Sequence, residues 1–176
     1  YMKPKVYNIG ILGCGKVAHL HAQAVQNLPN ASLAAVWSRT KQTAVDFARQ
    51  YKTRPFETIS EMVEKAQIDL AIVCTPHPFH REPAIEAAIA GAHILVEKPL
   101  ASTLEDSDAI INTCKNSGIK LGVISQRRWY APVIRVKKAI ETGKIGRPVF
   151  GTINMLGWRD KKYYDADAWR GTWNME

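Results

Sequence analysis

The chain reads as short apolar runs separated by stretches of helical spacing. Residues 6–12, 32–37, 69–74, 93–97 and 120–124 are close to continuously apolar, the pattern of strands buried on both faces of a parallel sheet. Between them lie helix candidates with their own punctuation. Residues 16–28 end before Pro29, and residues 40–50 open on Thr40 as a cap. Thr58 with Glu61, and Ser102 with Glu105, have capping-box spacing, while Gly91 and Gly118 stand where helix C-caps belong. Alternation of this kind predicts an α/β fold, a Rossmann-type doubly wound parallel sheet, over residues 1–123.

Beyond that point the pattern changes. A helix is predicted over 132–142, with Val133, Val136 and Ile140 at helical spacing and a stop at Gly143, and a longer strand over 149–156. Four of the five tryptophans (Trp129, Trp158, Trp169 and Trp173) lie in this part. Residues 124–176 therefore read as the beginning of a second domain.

Candidate chemistry starts at the first strand–helix junction. Gly13-Cys14-Gly15-Lys16-Val17-Ala18 is a G-x-G-x-x-A sequence with a strand before it and a helix after it. In that context Gly13 permits a tight turn and Gly15 lets the backbone approach a pyrophosphate. Ala18 lets helix and strand pack closely, and the N–H groups of the first helical turn, from Lys16 and Val17 onward, face the phosphates. The second strand ends in Ser38-Arg39, with no carboxylate to hold a ribose 2′-hydroxyl. A hydroxyl and a planar guanidinium suit a 2′-phosphate, so the expected cofactor is NAD(P), with NADP favoured.

Bulk properties narrow the class. Hydrophobic residues make up 46% of the 176 and charged residues 23%, an ordinary globular balance. No apolar run reaches the roughly 18 residues of a membrane span. The net charge of +8 is unevenly placed, +2 over residues 1–123 and +6 over 124–176. The basic part is interrupted by apolar periodic positions and by Asp160, Asp165 and Asp167, which suits an anionic cofactor or acidic surface better than nucleic acid. Cys14, Cys74 and Cys114 form no C-x-x-C pair, so reduced, buried thiols and a cytoplasmic location are expected. His19 and His21 point to different sides of a helix, and His77 with His80 lacks a third ligand. No metal site is expected.

Glu97-Lys98-Pro99-Leu100 follows the fifth apolar strand. Together with the glycine motif, Thr75-Pro76 and His80, Arg128-x-x-x-Pro132, Lys137 and Ile145-Gly146, it makes the chain resemble the glucose–fructose oxidoreductase / inositol dehydrogenase family along essentially its whole length. The resemblance implies that Lys98 sits beside the nicotinamide and the reacting hydroxyl as the catalytic lysine. It also implies that Glu97 anchors the lysine or the cofactor, that Thr75, Pro76 and His80 line the nicotinamide-side ribose, and that Arg128 contributes to cofactor binding. Substrate would be a small-molecule sugar, cyclitol or related polyol, and the complete enzyme a homo-oligomer. Members of the family carry a second domain built on an antiparallel sheet (an α+β substrate domain) whose histidine acts as general base. No residue here matches that histidine, so the chain is expected to be a truncated, inactive start of such an enzyme. Trp158, Arg159, Trp169 and Arg170 offer rings and charges that could meet a polyol. A non-catalytic dinucleotide-binding sensor or scaffold of the same fold is the alternative, and an intact lysine motif argues against it.

Overall fold

The computed structural model describes residues 5–166 and 170–172. The chain divides into two compact units, Tyr1–Ile124 and Ser125–Glu176.

In the first unit six strands alternate with helices. The strands are β1 (Tyr7–Leu12), β2 (Ala31–Trp37), β3 (Arg54–Phe56), β4 (Leu70–Val73), β5 (His93–Val96) and β6 (Leu121–Val123). The helices between them are α1 (Lys16–Gln26), α2 (Lys41–Tyr51), α3 (Ile59–Lys65), α4 (Arg81–Ile89) and α5 (Leu104–Asn116). All pairings are parallel and the order across the sheet is β3-β2-β1-β4-β5-β6. This is the doubly wound Rossmann order, in which the chain reverses direction across the sheet between β1 and β4.

Period-two alternation divides the side chains of the central strands between two cores. Leu12, Ala71, Val73, Ile94 and Val96 join the face covered by α3, α4 and α5. Ile9, Ile11, Val36 and Ile72 join the face covered by α1 and α2. Helices cover both faces, which is why the strands read as continuously apolar.

The predicted helices are present, with adjusted ends. Thr58 caps α3 by accepting a hydrogen bond from the Glu61 N–H at 3.3 Å. The cap of α5 differs from expectation by one residue: it is Thr103, accepting from the Asp106 N–H at 3.1 Å, and not Ser102 paired with Glu105. The two frames share the same residue types, and the strand-to-helix path selects between them. Strand β3 carries no strand signal in the sequence: Arg54-Pro55-Phe56 is not continuously apolar and includes a proline, which an edge strand tolerates.

In the second unit α6 spans Ala131–Glu141 and α7 spans Lys161–Asp165. The strand expected over 149–156 does not form: these residues join no ladder among the described residues. Val149, Phe150, Ile153 and Leu156 are 94%, 89%, 89% and 101% exposed. The apolar, β-branched composition is that of a strand, but a strand exists only through a partner's N–H and C=O groups, and none of the described segments supplies one.

Candidate functional site

The carboxyl ends of β1, β2, β4 and β5 meet at one edge of the sheet, where open α/β sheets bind ligands. The turn after β1 is held by two short backbone bonds: Gly13 N–H donates to Trp37 O and Cys74 N–H to Leu12 O, each at 2.7 Å. Gly13 has φ +96, and a Cβ built there would lie 2.7 Å from Thr75 N and 2.9 Å from the Cys74 carbonyl carbon. Its role is thus a close approach to the β4 backbone as well as a turn. Gly15 is different, because a Cβ there would meet nothing within 4 Å. The space beside it is open. Helix α1 starts on Gly15 with no side-chain cap and no acid in its first turn, so the positive end of its dipole is left for an external anion. Ala18, fully buried, lets α1 lie close on the sheet. The chain therefore has a cradle that fits a dinucleotide pyrophosphate, built from Gly13, Gly15 and the first turn Lys16-Val17-Ala18.

Ser38 and Arg39 follow β2. Ser38 is half-buried and Arg39 exposed. The Arg39 guanidinium carbon lies over the Phe79 ring, 4.8 Å from its centroid. Phe79 ends a single 3-10 turn, His77–Phe79, after β4. That turn is tightly tied. Phe79 N–H donates to Pro76 O at 2.8 Å, and the Thr75 hydroxyl donates to Phe79 O at 2.8 Å.

His80 is placed differently from the ribose-lining role the resemblance implied. It is 1% exposed. Its Nε2 lies 2.8 Å from Thr75 O and its Nδ1 2.9 Å from Pro99 O. Buried between two backbone carbonyls, it ties the loop after β4 to the loop that carries Lys98. Thr75 is half-buried and Pro76 exposed at the rim.

Glu97 and Lys98 follow β5, and the Lys98–Pro99 peptide is cis. Glu97 Oε1 is 2.8 Å from His21 Nε2, with the two side chains 15% and 17% exposed. Its other oxygen accepts from the Lys98 backbone N–H at 3.2 Å. The His21 hydrogen bond holds the Glu97 carboxyl below the usual carboxylate range, against the upward push of partial burial. Lys98 itself is exposed. Nothing in the pattern of residue types points to His21; only the contact across 76 residues shows that it holds the Glu97 carboxylate beside Lys98. His19, two positions earlier, instead hydrogen-bonds Tyr51 of α2 at 2.9 Å.

The three thiols are buried and unpaired. Burial pushes Cys14 up to about 12, and burial together with the charges of Glu97 and Cys14 raises Cys74, so neither offers a thiolate at neutral pH. Among the described residues no group of three His, Cys, Asp or Glu is arranged to hold a metal ion, and no helix is long and apolar enough to cross a membrane.

In the second unit Arg128 lies in the turn Gln126–Trp129 that precedes α6. Trp158 is 87% exposed. The guanidinium carbons of Arg159 and Arg170 lie 4.9 and 4.3 Å from the Tyr163 ring centroid. Trp169 and Trp173 fall outside the described residues.

Glycine turn, uncapped helix and sheet order define a dinucleotide-binding Rossmann domain. Residues 7–125 match the oxidoreductase family with an NAD-binding Rossmann fold, and the chain belongs to that family, the Gfo/Idh/MocA oxidoreductases. It is similar to scyllo-inositol 2-dehydrogenase (NAD(+)) of Bacillus subtilis, 34% identical over 80% of this chain and 42% of that one. Glucose-6-phosphate 3-dehydrogenase of the same organism is 29% identical over 78% of this chain and 39% of the relative. Among solved structures, the WlbA dehydrogenase of Bordetella pertussis, in complex with NADH and UDP-GlcNAcA, superposes with a TM-score of 0.88 at 33% identity, covering 100% of this chain and 53% of that one. The chain thus spans about half of these relatives' length, or less.

The two motif glycines should separate folding from binding. Gly13→Ala forces a methyl into backbone and should cost about 2–4 kcal/mol, read as a lowered Tm. Gly15→Ala meets no steric clash and should cost less, up to about 1 kcal/mol for the poorer N-cap, while weakening dinucleotide binding by about tenfold (~1.4 kcal/mol), read by fluorescence titration.

The Glu97–His21 pair sets a second expectation. A lowered carboxyl stabilises the fold at pH values above its ordinary 4.5 and stops doing so as pH falls through the lowered value. Glu97→Gln should cost about 1–3 kcal/mol at neutral pH, and denaturation curves of the two proteins should converge as pH drops below 4.5.

Proposed function

We propose that this chain binds a nicotinamide dinucleotide at the sheet edge and belongs to an enzyme that moves a hydride between that cofactor and a CH–OH carbon of a sugar or related polyol. The observation that carries this reading is the convergence of two sites on one edge. The pyrophosphate cradle at Gly15 and the exposed Lys98, held from behind by Glu97 and His21, follow strands β1 and β5, with only β4 between them. A sensor needs the first and has no use for the second.

When bound, the nicotinamide ring supplies the hydride acceptor and donor. In the oxidative direction the substrate carbon loses hydride and its hydroxyl loses a proton, leaving a carbonyl. The Lys98 ammonium donates a hydrogen bond to the substrate oxygen and stabilises the alkoxide charge that develops as the hydride departs. The proton leaves to a general base, which the family resemblance assigns to the substrate domain. Glu97 holds the Lys98 backbone, and His80 holds the loop beneath it.

Two finer choices follow. Ser38-Arg39 at the end of β2, with no carboxylate, supports NADP over NAD. A sugar carried on a nucleotide fits best as substrate. The WlbA structure, which binds such a compound, matches the entire chain, and the net charge of +6 over residues 124–176 suits a diphosphate. Arg159 and Arg170 supply cations of that kind, and Trp158 a ring.

Cofactor titration tests the first choice. NADP should bind more tightly than NAD by about 1–3 kcal/mol, and Arg39→Ala should abolish the difference; equal affinities, or tighter NAD, overturn it. Lys98→Ala in the active enzyme should lower kcat/KM by roughly 100-fold or more with little change in cofactor affinity. Near-normal turnover by that variant would remove Lys98 from the mechanism.

A further inference from the structure

Phe79 has no place in the glycine motif or the lysine motif, yet its ring lies beneath the guanidinium assigned to the cofactor. Arg39 follows β2 and Phe79 follows the turn after β4, and these strands flank β1 on either side. Their contact at 4.8 Å therefore closes over the carboxyl end of β1, beside the glycine turn. Among the described residues no carboxylate pairs with Arg39, so the ring is its partner and the charge stays available to an anion.

The ring is on a fixed base. Phe79 is half-buried, its N–H and C=O are both bonded within the 75–79 turn, and the adjacent His80 is clamped between Thr75 and Pro99. Arg39, by contrast, is an exposed side chain on a surface loop. Such a side chain has much rotamer freedom to lose when it grips a ligand. A guanidinium that rests its face on an aromatic ring has part of that freedom removed beforehand, and keeps its in-plane N–H donors for a phosphate.

We infer that Phe79 is a cofactor-affinity residue: its ring pre-places Arg39 to receive the adenosine half of the dinucleotide. This rests on the reading of the β2 end as the adenosine side of the site. It does not depend on whether the ribose carries a 2′-phosphate, because the ring acts on Arg39 before any ligand arrives.

A double-mutant cycle on binding decides it. Dissociation constants for NADP and NAD are measured by fluorescence titration for the unmodified protein, Phe79→Leu, Arg39→Ala and the double variant. Phe79→Leu should weaken the tighter-bound dinucleotide about two- to fivefold, the range of an exposed cation–π contact, and have no further effect once Arg39 is alanine. Phe79→Tyr, which keeps the ring, should bind as the unmodified protein does. Phe79→Met keeps the bulk without the ring and should reproduce the loss, which covers the case of an unfolded leucine variant. An equal loss with and without Arg39, or no loss at all, overturns the inference while leaving the cofactor reading intact. Tighter NAD than NADP overturns the cofactor preference while the coupling still stands or falls by itself. Binding of neither dinucleotide overturns both.

Discussion

The approach of one backbone to another at the ends of β1 and β4 is the constraint on which the site depends. Gly13 lies so close to Cys74 and Thr75 that no side chain fits between them. The same turn receives its backbone bond from β2 through Trp37 O. Three strand ends are thereby drawn into one rim. The loops that leave them carry the cradle, Ser38-Arg39 and the Thr75–Phe79 turn, and these come within reach of one another because the rim is compact. A single methyl at residue 13 would push β1 and β4 apart at the point where the whole edge is assembled.

Behind the rim, polar groups that could be mistaken for chemistry serve geometry. His80 is buried with a carbonyl at each ring nitrogen, and His21 reaches from α1 to the carboxylate of Glu97. Each joins two loops or elements that are distant in sequence. Buried polar side chains are costly unless satisfied, and once satisfied they admit few alternative arrangements. The exposed residues Arg39 and Lys98 lie next to these tied loops.

The second unit shows the opposite situation. Helix α6 forms from local information, Pro132 near its start and Gly143 just past its end. The apolar segment 149–156 has strand composition and no ladder, with its large side chains exposed. Helical hydrogen bonds are made within the segment, whereas strand bonds are made between segments. Local pattern is therefore enough for α6 and insufficient for 149–156.

The same distinction separates what the sequence by itself determined from what tertiary structure decided. Period and punctuation determined five of the six strands, the helices between them and the doubly wound class, because each signal lies within a dozen residues. The glycine motif and Ser38-Arg39 were legible as binding candidates for the same reason, whereas Glu97-Lys98-Pro99 stood out only through the family resemblance. Tertiary structure alone decided the short edge strand β3, the choice of Thr103 over Ser102 as cap, and the burial of His80. It alone paired His21 with Glu97 across 76 residues and set Phe79 beneath Arg39. These are outcomes of which loops the sheet order brings side by side, and sheet order is settled by the packing of two cores around β1 and β4, which no local window of sequence contains.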